Sequence, residues 1–108
     1  MTMAARKLGL LLSTPPSDPS VDTVVQLAQA ALRKGVDVYL YLIDEGVKTA
    51  VDQRYIGLID AGVKMSVCAY GCQQHGVLTT TIDSRMSLSG LVVLSGIIDG
   101  SDRFLAFT

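Results

Sequence analysis

A chain of 108 residues is long enough for one domain with its own apolar core and leaves no room for a second. Nine Lys plus Arg against ten Asp plus Glu give a net charge of -1, and no basic cluster occurs that could track a phosphate backbone, so nucleic acid is not an expected partner. Hydrophobic residues at 49% with charged residues at only 18% predict that some apolar surface is buried between subunits.

The first element, Lys7-Leu8-Gly9-Leu10-Leu11-Leu12, is a nearly continuous apolar run stopped by Ser13-Thr14-Pro15-Pro16, as expected of a strand covered on both faces. Its apolar stretch is too short for a signal-peptide core or a bilayer span, so a cytoplasmic protein that stays off the membrane is expected. Val21, Val24, Val25, Ala28, Ala31 and Leu32 fall on one helix face, with Asp18-Pro19 or Ser20 to open the helix and Gly35 to close it. Val36 to Ile43, rich in β-branched and aromatic residues, predicts a second strand that ends at Asp44-Glu45-Gly46.

Val47, Val51, Tyr55, Leu58 and Ile59 suggest one or two helices before Gly62, and Val63 to Val67 reads as a third strand. Gly71 and Gly76 interrupt the short helix or loop that follows. Val77 to Ile82 fits either a short strand or an extended loop. A helix is expected from Ser84 or Ser87 through Leu88, Leu91, Val92, Ser95 and Ile98, before Asp99-Gly100-Ser101-Asp102 turns into a last strand, Arg103 to Phe107. The alternation predicts a three-layer α/β/α domain over residues 1–108, with a mostly parallel sheet of about five strands.

Ligand sites of such sheets lie beyond the carboxyl ends of the strands, where Ser13 to Ser20, Asp44 to Gly46 and Cys68 to Gly76 should meet. Cys68 and Cys72 are the only cysteines. A thiol reacts as its thiolate, which is favoured where a strand stops and free backbone N–H groups point at the sulfur. Cys68 stands at such a strand end; the competing role is a small buried core residue. His75, the only histidine, is a candidate acid or base for either thiol, or a helix-end residue facing solvent. With Cys68 and Cys72 it makes three possible metal ligands without a fourth Cys or His, so no metal is expected. Gly-x-Gly-x-x-Gly after the first strand, a Walker loop and Gly-x-Ser-x-Gly do not occur, which disfavours nucleotide binding and serine hydrolysis.

The run Gly62-Val63-Lys64-Met65-Ser66-Val67-Cys68, followed by Gly76-Val77 and embedded in this order of strands and helices, resembles the DsrE/DsrF-like sulfur-relay proteins, which include the TusD type. The resemblance spans nearly the whole chain. It implies an intracellular persulfide carrier that accepts sulfane sulfur on Cys68 from a donor protein and passes it to an acceptor protein, with no bound cofactor. It also implies a trimer or hexamer of like or related subunits. Two departures stand out. Many members carry Arg just before the Gly that matches Gly76, where this chain has Gln74-His75, and Cys72 is additional.

Backbone amides of Ala69 to Gly71 are expected to stabilise the thiolate or persulfide, with Thr14, Pro15 and Tyr70 shaping the mouth. Two alternatives remain open at this point. Cys72 would act as a resolving thiol in a dithiol reductase, or the chain would be non-catalytic, a scaffold or regulatory subunit of a sulfur-transfer assembly or a small-molecule binding module whose cysteines are incidental.

Overall fold

The computed structural model describes residues 5–108. Strand β1 (Lys7–Leu12) is followed by α1 (Ser20–Arg33), β2 (Asp37–Leu42), a 3₁₀ segment (Asp44–Val51), α2 (Gln53–Asp60) and β3 (Lys64–Cys68). A short helix α3 (Ala69–Gln74), a 3₁₀ turn (Thr79–Thr81), β4 (Ser87–Ser89), α4 (Leu91–Gly100) and β5 (Arg103–Phe107) complete it. The five strands form one sheet in the order β4-β3-β2-β1-β5, and every pairing is parallel.

This order places the helices. From β1 through β4 the chain moves steadily toward one edge, then returns past three strands to lay β5 against the free side of β1. Right-handed crossovers therefore put α1 and α2 on one face and α4 on the other. The alternation along β1 agrees. A Cβ on Gly9 would meet Ile97 and Ser101 of the α4 region, so Leu8, Leu10 and Leu12 face the opposite side. There Leu10, Leu40, Met65, Leu12, Leu42 and Val67, neighbours in the strand register, pack with Val21, Val24, Val25 and Ala28 of α1 in the main core. Tyr55 of α2 joins it fully buried, its hydroxyl donating to the Val21 carbonyl at 2.8 Å.

Several expectations need correction. Ser87-Leu88-Ser89 does not open a helix: it is β4, paired with Ser66-Val67-Cys68, and the helix starts at Leu91. Three residues are too few to show a period of two, and the pairing is supplied by the neighbouring strand. Val77 to Ile82 is a loop with one 3₁₀ turn, where the Thr81 hydroxyl donates to the Leu78 carbonyl at 2.6 Å. The Val47 to Ala61 region begins earlier, at Asp44, as 3₁₀ structure, before α2. At the start of α1, Pro19 occupies the cap position without a side-chain bond, and the Asp18 carboxylate accepts from the Ser20 N–H at 2.8 Å. Gly71 does not interrupt a helix but lies within α3; Gly76, at φ 69°, follows it in the left-handed region.

Gly46 fixes how closely the 3₁₀ segment approaches the end of β1. A Cβ there would overlap the backbone carbonyl of Leu12, and that carbonyl also accepts the Ile43 N–H at 3.0 Å. Because the obstruction is backbone, it cannot turn aside as a side chain would. Gly46→Ala should therefore lower stability by roughly 1–3 kcal/mol, the usual cost of overpacking, read as a lower urea midpoint at unchanged slope. An unchanged midpoint would show that the 3₁₀ segment is free to move away from β1.

Candidate functional site

Cys68 is the last residue of β3 and the N-cap of α3, and its sulfur accepts a hydrogen bond from the Gly71 N–H at 3.4 Å. The turn is tight because residue 71 has no side chain. A Cβ on Gly71 would stand 2.9 Å from Cγ1 of Val47 and 3.4 Å from the Asp44 backbone nitrogen. Glycine at this position lets α3 settle on the 3₁₀ segment and brings an N–H to the sulfur.

The sulfur opens onto a cavity of about 600 Å³ whose walls come from three strand ends: Ile43 and Asp44 after β2, Ala69 to Gly71 with Gln74 and His75 after β3, and Ser89 to Leu91 at and after β4. Cys68 is only 6% exposed, so its sulfur is reached through this cavity rather than projecting from the surface. Two hydroxyls border it. Tyr41 of β2, fully buried, lies with its oxygen 3.1 Å from the Gly90 carbonyl and 3.4 Å from that of Ser89. Burial, and next the negative charge of a Cys68 thiolate beside it, push the Tyr41 hydroxyl above the ordinary phenol value, so it keeps its proton and remains a donor. Ser89, the register partner of Cys68, has a buried hydroxyl oxygen with no hydrogen-bond partner among the described residues. A buried hydroxyl left unpaired is costly, and this one, in the same cavity lining as Cys68, is free to donate to a bound group.

His75 Nε2 sits 2.7 Å from Asp44 Oδ1, a pair that closes one side of the cavity. Asp44 holds this position with φ 51°, the sole non-glycine residue in the left-handed region among those described, and aspartate is among the side chains that tolerate it best. Tyr70 is exposed at the mouth, its hydroxyl accepting from the Gln74 amide at 2.6 Å. Among the described residues no Lys or Arg lines the cavity.

The expected site residues thus divide. Cys68, Ala69, Tyr70, Gly71 and His75 meet at the cavity, whereas Cys72, Thr14 and Pro15 are not part of its lining. Cys72 is wholly buried in the core, and burial, followed by the Cys68 charge, pushes its thiol up. Thr14 is buried, its hydroxyl without a partner among the described residues, and its neighbour Ser13 is engaged with β5, its N–H donating to the Phe107 carbonyl at 2.9 Å. Tyr41, Ser89 and Gly90 were not among the residues singled out from the sequence. Tyr41 lay inside the second strand, and Ser89 in a segment that read as helix. The strand register is the signal that would have revealed them, since Tyr41 pairs with Ser66 and Cys68 with Ser89.

No curated protein shows significant sequence similarity to the chain. Among solved structures, the ychN protein of E. coli superposes with a TM-score of 0.83 at 18% identity, covering 96% of this chain and 100% of that one. A conserved protein of unknown function from Bacteroides thetaiotaomicron is similar at a TM-score of 0.78 and 16% identity, covering 94% of each chain. A third, also of unknown function, from Methanobacterium thermoautotrophicum, has a TM-score of 0.73 at 14% identity and covers 94% of this chain and 99% of its own. These likenesses establish the fold. Residues 6–107, nearly the entire chain, match the DsrE/DsrF-like family, and the protein belongs to it.

Proposed function

We propose that the protein carries sulfane sulfur as a persulfide on Cys68, taking it from a donor protein and passing it to an acceptor protein without a cofactor. The observation that carries this is the position of the Cys68 sulfur, lining a cavity at the carboxyl ends of the strands and bordered by the Gly71 N–H and the Tyr41 and Ser89 hydroxyls. In the loading step the Cys68 thiolate attacks the outer sulfur of a donor persulfide. The donor's S–S bond breaks, its electron pair leaves on the donor thiolate, and Cys68 becomes the persulfide with no net oxidation. Release to an acceptor thiolate is the same exchange in reverse. The Gly71 N–H offsets the negative charge present on sulfur before and after transfer, the neighbouring Tyr41 and Ser89 hydroxyls can turn their protons to it, and the cavity has room for the added atom.

Cys72 is not needed in this scheme. A dithiol reductase would require its thiolate to reach the sulfur on Cys68, yet it is buried away from the cavity with its thiol pushed up. A cytoplasmic homo-oligomer is part of the proposal. Among the described residues no helix is long and apolar enough to cross a membrane. Helix α4, Leu-Val-Val-Leu-Ser-Gly-Ile-Ile-Asp-Gly, has no buried residue, and Val92 on its outer side is 86% exposed. Apolar surface of this kind in a helix fits burial against other copies of the chain.

Incubation with a small persulfide donor, followed by intact mass, tests the carrier. Wild type and Cys72→Ser should each gain one sulfur and Cys68→Ser none; no gain on any form would point to a scaffold, and loss of two hydrogens in wild type alone to a dithiol enzyme. Tyr41→Phe removes a hydroxyl available to a charged sulfur, an interaction of about 1 kcal/mol, so Cys68 alkylation at a fixed neutral pH should slow by about fivefold. An unaltered rate would remove Tyr41 from the site. In sedimentation, wild type should run as a trimer or hexamer and Val92→Asp as smaller species, whereas a monomeric wild type would overturn the assembly.

A further inference from the structure

A second cavity, of about 490 Å³, lies toward the amino ends of the strands, between α4 and the open part of its sheet face. Its chemistry differs from that at Cys68. One wall is apolar, formed by Val93 and Ile97 of α4, and the same helix contributes Gly96 and Gly100, where a Cβ would meet nothing within 4 Å. The sheet contributes Tyr39 and Ser66, whose neighbours in register are Gly9 and Ser87. The rim is cationic: Lys7 at the start of β1, Lys64 at the start of β3, and Arg85 just before β4.

These cations are not equivalent. Arg85 is already held between Asp60 at 2.6 Å and Asp83 at 2.9 Å. Lys64 rests over the Tyr39 ring, its Nζ 4.9 Å from the ring centre and 3.4 Å from the hydroxyl, which fixes the ammonium at the cavity without neutralising it. Among the described residues neither Lys64 nor Lys7 forms an ion pair; the nearby Asp102 carboxylate is bonded to the Lys7 backbone N–H at 2.7 Å. An apolar cavity of ligand size with a few polar groups at its rim is the usual form of a small-molecule site, and two uncompensated ammonium groups select a negative charge.

We propose that this cavity binds a small amphipathic carboxylate, its acid group between Lys7 and Lys64 and its hydrocarbon body along the Val93–Ile97 wall. The glycines on α4 create the space, so the site can be closed without touching its charges. Gly96→Leu places a side chain in open space and replaces a poor helix former, so the variant should fold while the cavity is filled.

The test is titration of the full ¹⁵N-labelled chain with octanoate, followed by amide shifts, with octyltrimethylammonium as the cation of matching tail. Octanoate should give saturable shifts centred on Ser66, Gly96 and Gly100, the ammonium compound should give none there, and Gly96→Leu should abolish the response. The double variant Lys7→Gln, Lys64→Gln should bind octanoate about tenfold or more weakly, since it loses both charge-assisted contacts. Equal binding of the two amphiphiles, an unaltered affinity in the lysine double variant, or shifts confined to the Cys68 cavity would each overturn the proposal. Absence of any shift, as when another copy of the chain covers the groove, would also overturn it.

Discussion

The register of β3 between β2 and β4 is the constraint on which the site depends. Pairing Tyr41 with Ser66 and Cys68 with Ser89 sets three side chains on one face at the carboxyl ends of adjacent strands. Side chains alternate with a period of two, so a slip of one residue would send the sulfur into the core under α1 and bring Val67 to the cavity. The pairing is held by what lies on the other face. Leu40 against Met65 and Leu42 against Val67 are buried in the main core, and a slipped strand would exchange them for Ser66 and Cys68. The apolar side of the sheet therefore fixes the chemistry of the opposite side.

The same packing gives two nearly buried sulfurs different surroundings. Burial alone disfavours a thiolate, and for Cys72, enclosed in the core, that is the dominant influence. Cys68 differs by position rather than by depth. It ends a strand, so a helical N–H turns toward its sulfur, and Tyr41 and Ser89 of the flanking strands share its face of the sheet. Four residues of separation along the chain place two identical side chains in opposite environments, and only one of them lines the cavity.

Legibility from the sequence followed the length of each element. The long patterned segments, Lys7 to Leu12, Val21 to Leu32 and Val36 to Ile43, correspond to β1, α1 and β2, and the strand running into Cys68 is β3. The fourth strand was missed because Ser87-Leu88-Ser89 has little intrinsic β preference and exists through its bonds to β3. That error hid part of the site, since Ser89 to Leu91 form a cavity wall. The expected meeting of the segments after the second and third strands occurs, whereas Thr14 and Pro15 after the first do not line the cavity, whose remaining wall follows β4. Glycine roles were legible only in part. Gly76 shows its left-handed backbone, but Gly71 and Gly46 are required by close approach to Val47 and Leu12, which no local pattern displays.

The replacement of a resembled arginine by Gln74-His75 bears on how negative charge is stabilised at sulfur. An arginine would bring a permanent positive charge. His75 is instead 2.7 Å from the Asp44 carboxylate. Engaged with a carboxylate, it does not replace that charge, and among the described residues no Lys or Arg lines the cavity. Under the proposed function, stabilisation of a thiolate or persulfide would fall to neutral groups: the Gly71 N–H, held by the close packing of α3 on the 3₁₀ segment, and the nearby hydroxyls of Tyr41 and Ser89. A dipole already held in place need not reorganise as charge moves between sulfurs. The Asp44–His75 pair contributes differently, tying the start of the 3₁₀ segment to the end of α3 and so bracing the turn that presents Gly71 to the sulfur.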